Sequence, residues 1–144
     1  AGQPVVGGRW IGGTLTNFTQ IRKRIDKFES RLKEKEKGEL AKYTKKERLL
    51  IDREIAKLET LFGGIVSVKE KPGVLVVVDP KKEYIAVAEA RQMGVPVIAI
   101  ASSDCDLSLV DYAIPANDGS ASSAAFFLNE LAQAYVNAKV IKTA

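Results

Sequence analysis

The apolar residues Phe18, Ile21, Ile25, Phe28 and Leu32 recur at spacings of 3, 4, 3 and 4 with polar residues between them. That is one face of an amphipathic helix, expected to begin near Thr14 as its N-cap. The stripe stops at Gly38. After a short loop, Thr44 and Glu47 stand in the Ser/Thr-x-x-Glu relation of a capping box and open a second helix. Ile51, Ile55, Leu58 and Phe62 repeat the pattern at spacings of 4, 3 and 4, and Gly63-Gly64 follows where a left-handed C-terminal cap is expected. Each stripe covers one face only. The two helices are therefore expected to close on each other as an antiparallel coiled-coil hairpin, an arm projecting with its basic residues outward.

Beyond Gly64 the pattern changes from stripes to short continuous runs. Val74-Leu75-Val76-Val77-Val78 is a β-branched run of the kind buried on both faces of a parallel sheet, ended by Asp79-Pro80. Ile85, Val87, Ala88, Ala90 and Met93 then line a helix that Gly94 closes, and Val95-Pro96-Val97-Ile98-Ala99-Ile100 forms a second strand. A loop of Ser102, Ser103, Asp104, Cys105 and Asp106 leads to a short strand at Tyr112-Ala113-Ile114, and a last helix is expected from about Ser120 to Asn137. The order predicts the α/β class, a partial Rossmann-like three-layer parallel sheet, with Val5-Val6 as a candidate fourth strand. Residues 1–13 and 64–144 would form this body and residues 14–63 the hairpin. So thin a sheet, in a chain that begins with Ala1 rather than Met, predicts an N-terminal part beyond this sequence.

Composition narrows the function classes. The 144 residues are 46% hydrophobic, ordinary for one globular domain. The one cysteine, Cys105, leaves no internal disulfide, and the absence of histidine removes the usual zinc ligand sets, so no metal and no cofactor is expected. No apolar run approaches a membrane span and no secretory signal is visible, which favours an intracellular, reducing setting. The net charge of +4 is unevenly placed. Residues 21–60 hold 14 Lys+Arg against 9 Asp+Glu, and the rest of the chain 8 against 9. A basic segment on a near-neutral body suits contact with a polyanion, although charged helix faces are also ordinary solvated surface.

Catalytic equipment is sparse. No Gly-x-Gly-x-x-Gly turn joins a strand to a helix and no Gly-x-x-x-x-Gly-Lys-Ser/Thr loop occurs. Asp79 sits at a strand's carboxyl end, where α/β enzymes place reactive groups, but Asp-Pro there is first a strand stop and helix start. Cys105 lies between two carboxylates and lacks a histidine base, so it reads as a small loop residue. Asn117-Asp118-Gly119 reads as a turn and helix cap. An enzyme or nucleotide-binding module would have to use Asp79 with the loops at Ser102 and Asn117; a coiled-coil adaptor would use the arm alone.

The stretch Gly7-Gly8-Arg9-Trp10-Ile11-Gly12-Gly13 before the first helix is more distinctive. Arg9 offers a guanidinium fork, Trp10 a stacking plane, and the glycine pairs let the backbone turn or approach a partner closely. Thr14 and Asn17 at the helix start can cap it or bond sugar-phosphate oxygens, and Arg22, Lys23, Arg24 and Lys27 continue the basic line. The same stretch also suits a tight turn anchored by a core tryptophan.

Arg9-Trp10-Ile11-Gly12-Gly13-Thr14-Leu15-Thr16-Asn17-Phe18 resembles the Arg-Trp-Leu-Gly-Gly-x-Leu-Thr-Asn-Phe signature of the bacterial-type small-subunit ribosomal protein S-two family. Pro72 to Pro96 resembles that family's other signature, with Pro72, Leu75 to Val77, Asp79, Glu83, Val87, Glu89 and Gly94-Val95-Pro96 in register. Asp111-Tyr112-Ala113-Ile114-Pro115-Ala116-Asn117-Asp118 is similar to its Asp-Tyr-x-Ile-Pro-x-Asn-Asp segment. The resemblance departs at Ser102-Ser103-Asp104-Cys105-Asp106-Leu107, where the family usually reads Asp-Thr-Asn-Cys-Asp-Pro, and the family's half-domain ahead of the Arg-Trp motif has no counterpart here. It implies a non-enzymatic structural constituent of the small ribosomal subunit, in a bacterial cytoplasm or an organelle. Small-subunit ribosomal RNA and neighbouring ribosomal proteins, ribosomal protein S-one among them, are the implied partners. Arg9, Trp10, Thr14, Asn17, Arg22, Lys23 and Lys27 are the residues expected to carry the RNA contact, and the hairpin's outer face is the expected protein surface.

Overall fold

A computed structural model describes residues 1–143 as an α/β chain with four α-helices and one three-stranded parallel sheet. The chain forms two compact units, one of Pro4–Lys71 and one of Ala1–Gln3 with the chain from Pro72 onward.

In the first unit, α1 (Phe18–Glu36) and α2 (Lys45–Phe62) are joined through a 3-10 turn at Glu39–Lys42 and pack on each other. The predicted stripes supply the core. Ile21, Ile25, Phe62 and Ile65 are buried together, with Val6, Ile11, Leu58, Leu61, Val66 and Val68 packed around them. Burial of a side chain the size of Ile25 or Phe62 contributes about 1.5–3 kcal/mol, so this cluster dominates the unit's stability. The capping box forms as expected: the Glu47 amide donates to the Thr44 hydroxyl at 3.4 Å while the Thr44 amide donates to the Glu47 carboxylate at 2.8 Å.

Other details of this unit differ from the sequence reading. Helix α1 starts at Phe18, not Thr14, because the Thr14 hydroxyl is turned back to donate to the Ile11 carbonyl at 2.6 Å and residues 12–17 form turns. Asn17 is the N-cap residue, and its side chain makes no capping bond. Gly63-Gly64 is not a left-handed cap either. Gly63 has φ −52° and the chain continues into a 3-10 turn, Gly63–Ile65. The requirement at Gly64 is space: a Cβ there would lie 1.9 Å from the Val5 carbonyl oxygen, and the Val5 amide donates to the Gly64 carbonyl at 3.0 Å. Val5-Val6 is consequently not a fourth strand; its backbone is spent on the end of α2 rather than on the sheet.

In the second unit, β1 (Leu75–Val78), β2 (Val97–Ala101) and β3 (Tyr112–Pro115) lie in that order, all parallel, with Leu75 opposite Val97 and Ile98 opposite Tyr112. Strand β2 is central, and Val97, Ala99, Ile100 and Ala101 are all buried. It starts at Val97 rather than Val95 because Pro96 has no amide to donate; its carbonyl instead accepts from Leu75 at 2.9 Å. Helix α3 (Tyr84–Gln92) packs on β2 and buries Ala86, Val87 and Ala90. Its end is a Schellman motif: Gly94, at φ +63°, donates to Arg91 at 3.0 Å and Val95 donates to Ala90 at 2.8 Å. Between β2 and β3 the chain makes a turn, in which the Cys105 amide donates to the Ser102 carbonyl at 3.4 Å, and a 3-10 turn, Leu107–Leu109, and the Asp111 carboxylate accepts from the Val97 amide at 2.7 Å to align the two strand starts. Helix α4 runs over Ala121–Thr143, six residues beyond the expected end at Asn137. No helix among the described residues is long and apolar enough to cross a membrane.

Gly64→Ala should destabilise the first unit by about 1–3 kcal/mol, the usual cost of forcing atoms into a filled site. Gly7→Ala, where an added Cβ meets nothing within 4 Å, should leave urea denaturation unchanged.

Candidate nucleic-acid interface

The Arg-Trp stretch divides into an inward and an outward half. Trp10 and Leu15 are buried, each with 8% of its surface exposed, and Thr14 is buried with its hydroxyl on Ile11. Gly8 lies against the backbone of α2, where a Cβ would meet the Thr60 carbonyl oxygen at 2.8 Å. Gly13 takes φ +92°, the left-handed turn that sends the chain into α1. Arg9 and Asn17 remain exposed on either side of these anchors.

Along α1, at about 3.6 residues per turn, the predicted cations fall outside the buried Ile21-Ile25-Phe28 stripe. Arg22 shares its flank with Asp26 and Glu29 and is fully engaged. Its guanidinium pairs with Asp26 at 2.8 Å and Glu29 at 3.6 Å and donates to the Val66 and Val68 carbonyls at 2.8 and 3.3 Å. It fastens α1 to the strap after α2. Arg24 and Lys27 lie on the other flank and Lys23 on the back of the helix, opposite the stripe, and all three are exposed. Lys27 reaches across to Glu54 of α2 at 2.6 Å and holds that carboxyl below its usual range. Lys23 and Arg24 carry no ion pair among the described residues. All seven expected contact residues thus lie in one unit, but only Arg9, Asn17 and Lys23 present unengaged polar groups at its surface. Arg24, equally exposed, belongs with them.

The rival site is also assembled. Asp79, Cys105 and Asp118 follow the carboxyl ends of the three strands, and one donor atom of each lies within 4.8 Å of the others. These groups are largely committed to one another and to the loops. Asp79, at φ +60°, accepts from the Lys82 amide at 3.1 Å and pairs with the Lys82 ammonium at 2.7 Å. Asp118 accepts from the Ser102 amide at 3.1 Å and from the Cys105 thiol at 3.7 Å, so it ties its loop to β2 rather than capping α4. The Asn117 side chain makes the turn by accepting from the Gly119 amide at 3.0 Å. Asp104 bonds Lys81 at 2.7 Å and the Ser102 hydroxyl, and these hold its carboxyl down at about 2.

Residues 1–138 match the family model of Ribosomal protein S2. The chain belongs to the Ribosomal protein S2 family. It is 48% identical over 124 residues to a small ribosomal subunit protein uS2 of Ureaplasma parvum serovar 3, covering 86% of this chain and 36% of that relative. It is 43% identical over 142 residues to the protein of the same name from Chlorobium phaeovibrioides, covering 99% of this chain and 55% of the relative. With the corresponding Roseiflexus protein it shares 43% identity over 136 residues, 94% of this chain and 52% of the relative. The chain therefore spans about a third to a half of the length of the curated relatives it matches.

The Asp104 pairings set a pH dependence with a definite sign. A carboxyl depressed from its ordinary 3.8 to about 2 stabilises the fold above pH 3.8, and that contribution is lost as the pH falls towards 2. The stability difference between the parent chain and Asp104→Asn, followed by thermal unfolding, should be constant near neutrality and shrink as the pH falls from 3.8 through about 2.

Proposed function

We propose that this chain is a non-enzymatic structural constituent of the small ribosomal subunit and that it binds small-subunit ribosomal RNA through the start of α1. The observation that carries the proposal is the split of the Arg-Trp stretch. Trp10 and Thr14 are buried and fix the joint, so Arg9 stands exposed beside the entry to a helix whose first turn holds no acidic residue. Lys23 and Arg24, in the second turn of that helix, are exposed cations with no ion pair among the described residues. Phosphate contact rewards that arrangement, because fixed cations release condensed counterions and the positive end of a helix favours anions. Trp10 then acts as an anchor rather than a stacking plane, and Thr14 and Arg22 as positioning residues. Asn17 and Lys27 contribute at the edge of the contact.

The setting that goes with this function is the cytoplasmic ribosome of a bacterium, or an organellar ribosome, with neighbouring ribosomal proteins and ribosomal protein S-one as further partners. The names of the uS2 relatives support the ribosomal setting. We read the parallel sheet as part of a Rossmann-like three-layer body. The α1–α2 pair is read as an antiparallel coiled-coil arm, with its apolar stripes facing and cross-helix ion pairs at Lys27–Glu54 and Lys35–Asp52. In function, residues 14–63 serve as the arm, and residues 1–13 with 64–144 as the part that seats it.

Filter binding to small-subunit ribosomal RNA tests the reading. Replacing Arg9 and Lys23 together by alanine should weaken binding and flatten the slope of log affinity against log salt by roughly 0.7–0.9 for each contact removed. Unchanged affinity and slope would overturn it. Arg22→Ala should instead lower thermal stability and leave the salt slope almost unaltered.

A further inference from the structure

The face of α2 opposite its buried stripe is chemically unusual. At about 3.6 residues per turn, Lys46, Leu49, Leu50, Arg53 and Lys57 lie on the side away from Ile55, Leu58 and Phe62. All five are exposed, the two leucines by 51% and 54%. No carboxylate shares this face. Three of the four acids of α2 are used elsewhere: Asp52 pairs with Lys35 at 2.7 Å, Glu54 with Lys27 at 2.6 Å, and Glu47 closes the capping box, while Glu59, four residues after Ile55, lies towards the stripe side of the helix. None of Lys46, Arg53 and Lys57 has an ion pair among the described residues. Solvated helix faces commonly interleave both signs of charge, whereas this one combines unpaired cations with two half-exposed leucines.

We propose that this face of α2 docks an acidic amphipathic helix of a neighbouring protein. The cations supply charge complementarity that a partner rich in Glu and Asp would satisfy, and Leu49 and Leu50, about 100° apart around the helix on either side of Arg53, supply apolar contacts at the two edges of the face. RNA fits the observations less well, because phosphates reward the cations but gain nothing from exposed leucines. The proposal rests on the ribosomal setting above, where such neighbours are present, and it is independent of the RNA contact at Arg9 and Lys23.

The test uses the whole chain and a fluorescein-labelled helical peptide of about 20 residues, long enough to hold helix on binding, with leucine at every third or fourth position and glutamate between. Fluorescence anisotropy should show saturable binding. Leu49→Ser with Leu50→Ser should weaken it roughly tenfold, the loss expected when both apolar contacts are removed. Arg53→Glu should weaken it and reduce its salt dependence, and circular dichroism should show both variants folded, since all three side chains are exposed. The Arg9→Ala, Lys23→Ala variant should bind the peptide as the parent does while losing RNA, which separates the two surfaces. Absence of binding by the parent chain would overturn the proposal. So would binding that the leucine variant retains and that poly(U) RNA displaces, because the face would then be a general polyanion surface.

Discussion

The first unit depends on a close backbone approach, Val5 against Gly64. The bond between the Val5 amide and the Gly64 carbonyl brings the N-terminal strap across the end of α2 at a separation that no side chain at Gly64 could share. That closure carries Val6 and Ile11 onto the Ile21-Ile25-Phe62-Ile65 cluster, and it leads directly to the burial of Trp10 and Thr14 and the turn at Gly13. Two amphipathic helices alone would leave the ends of their apolar stripes open. The strap covers one end, so the glycines serve packing as much as turning.

Charge allocation follows from the same packing. Once α1 and α2 are in register, Lys27 and Lys35 pair with Glu54 and Asp52 of α2, and Arg22 is drawn into the carbonyls of residues 66 and 68. Exposed ion pairs of this kind contribute about 0–1 kcal/mol each, too little to hold the helices together. Their larger effect is to decide which cations stay available. Lys23 and Arg24 remain free at the start of α1, and Lys46, Arg53 and Lys57 on the back of α2. The basic excess of residues 21–60 thus becomes two cationic surfaces, one at the start of α1 and one on the back of α2.

In the sheet unit, the strand ends collect Asp79, Cys105 and Asp118 where α/β enzymes hold their ligands, yet hydrogen bonds and ion pairs turn these groups inward on the loops. The left-handed Asp79 is held by both the amide and the ammonium of Lys82, a local device for turning from β1 into α3. The strand ends therefore have a structural use for the residues that a catalytic reading would claim.

What the sequence determined by itself was everything set by local period and local chemistry. The 3-and-4 spacing located α1 and α2, the Thr44–Glu47 pair opened α2, Gly94 closed α3, and the unbroken apolar runs marked β1 and β2. Family membership was also legible, because three motifs stand in order along the chain and the match extends over residues 1–138. Tertiary structure alone decided the rest. Whether Thr14 caps a helix or bonds Ile11, whether Gly64 turns left or yields space to Val5, and whether Arg22 faces solvent or two carbonyls 44 and 46 residues away depend on long-range neighbours. A side chain's type sets which bonds it can form; the packing of distant segments sets which of them it makes.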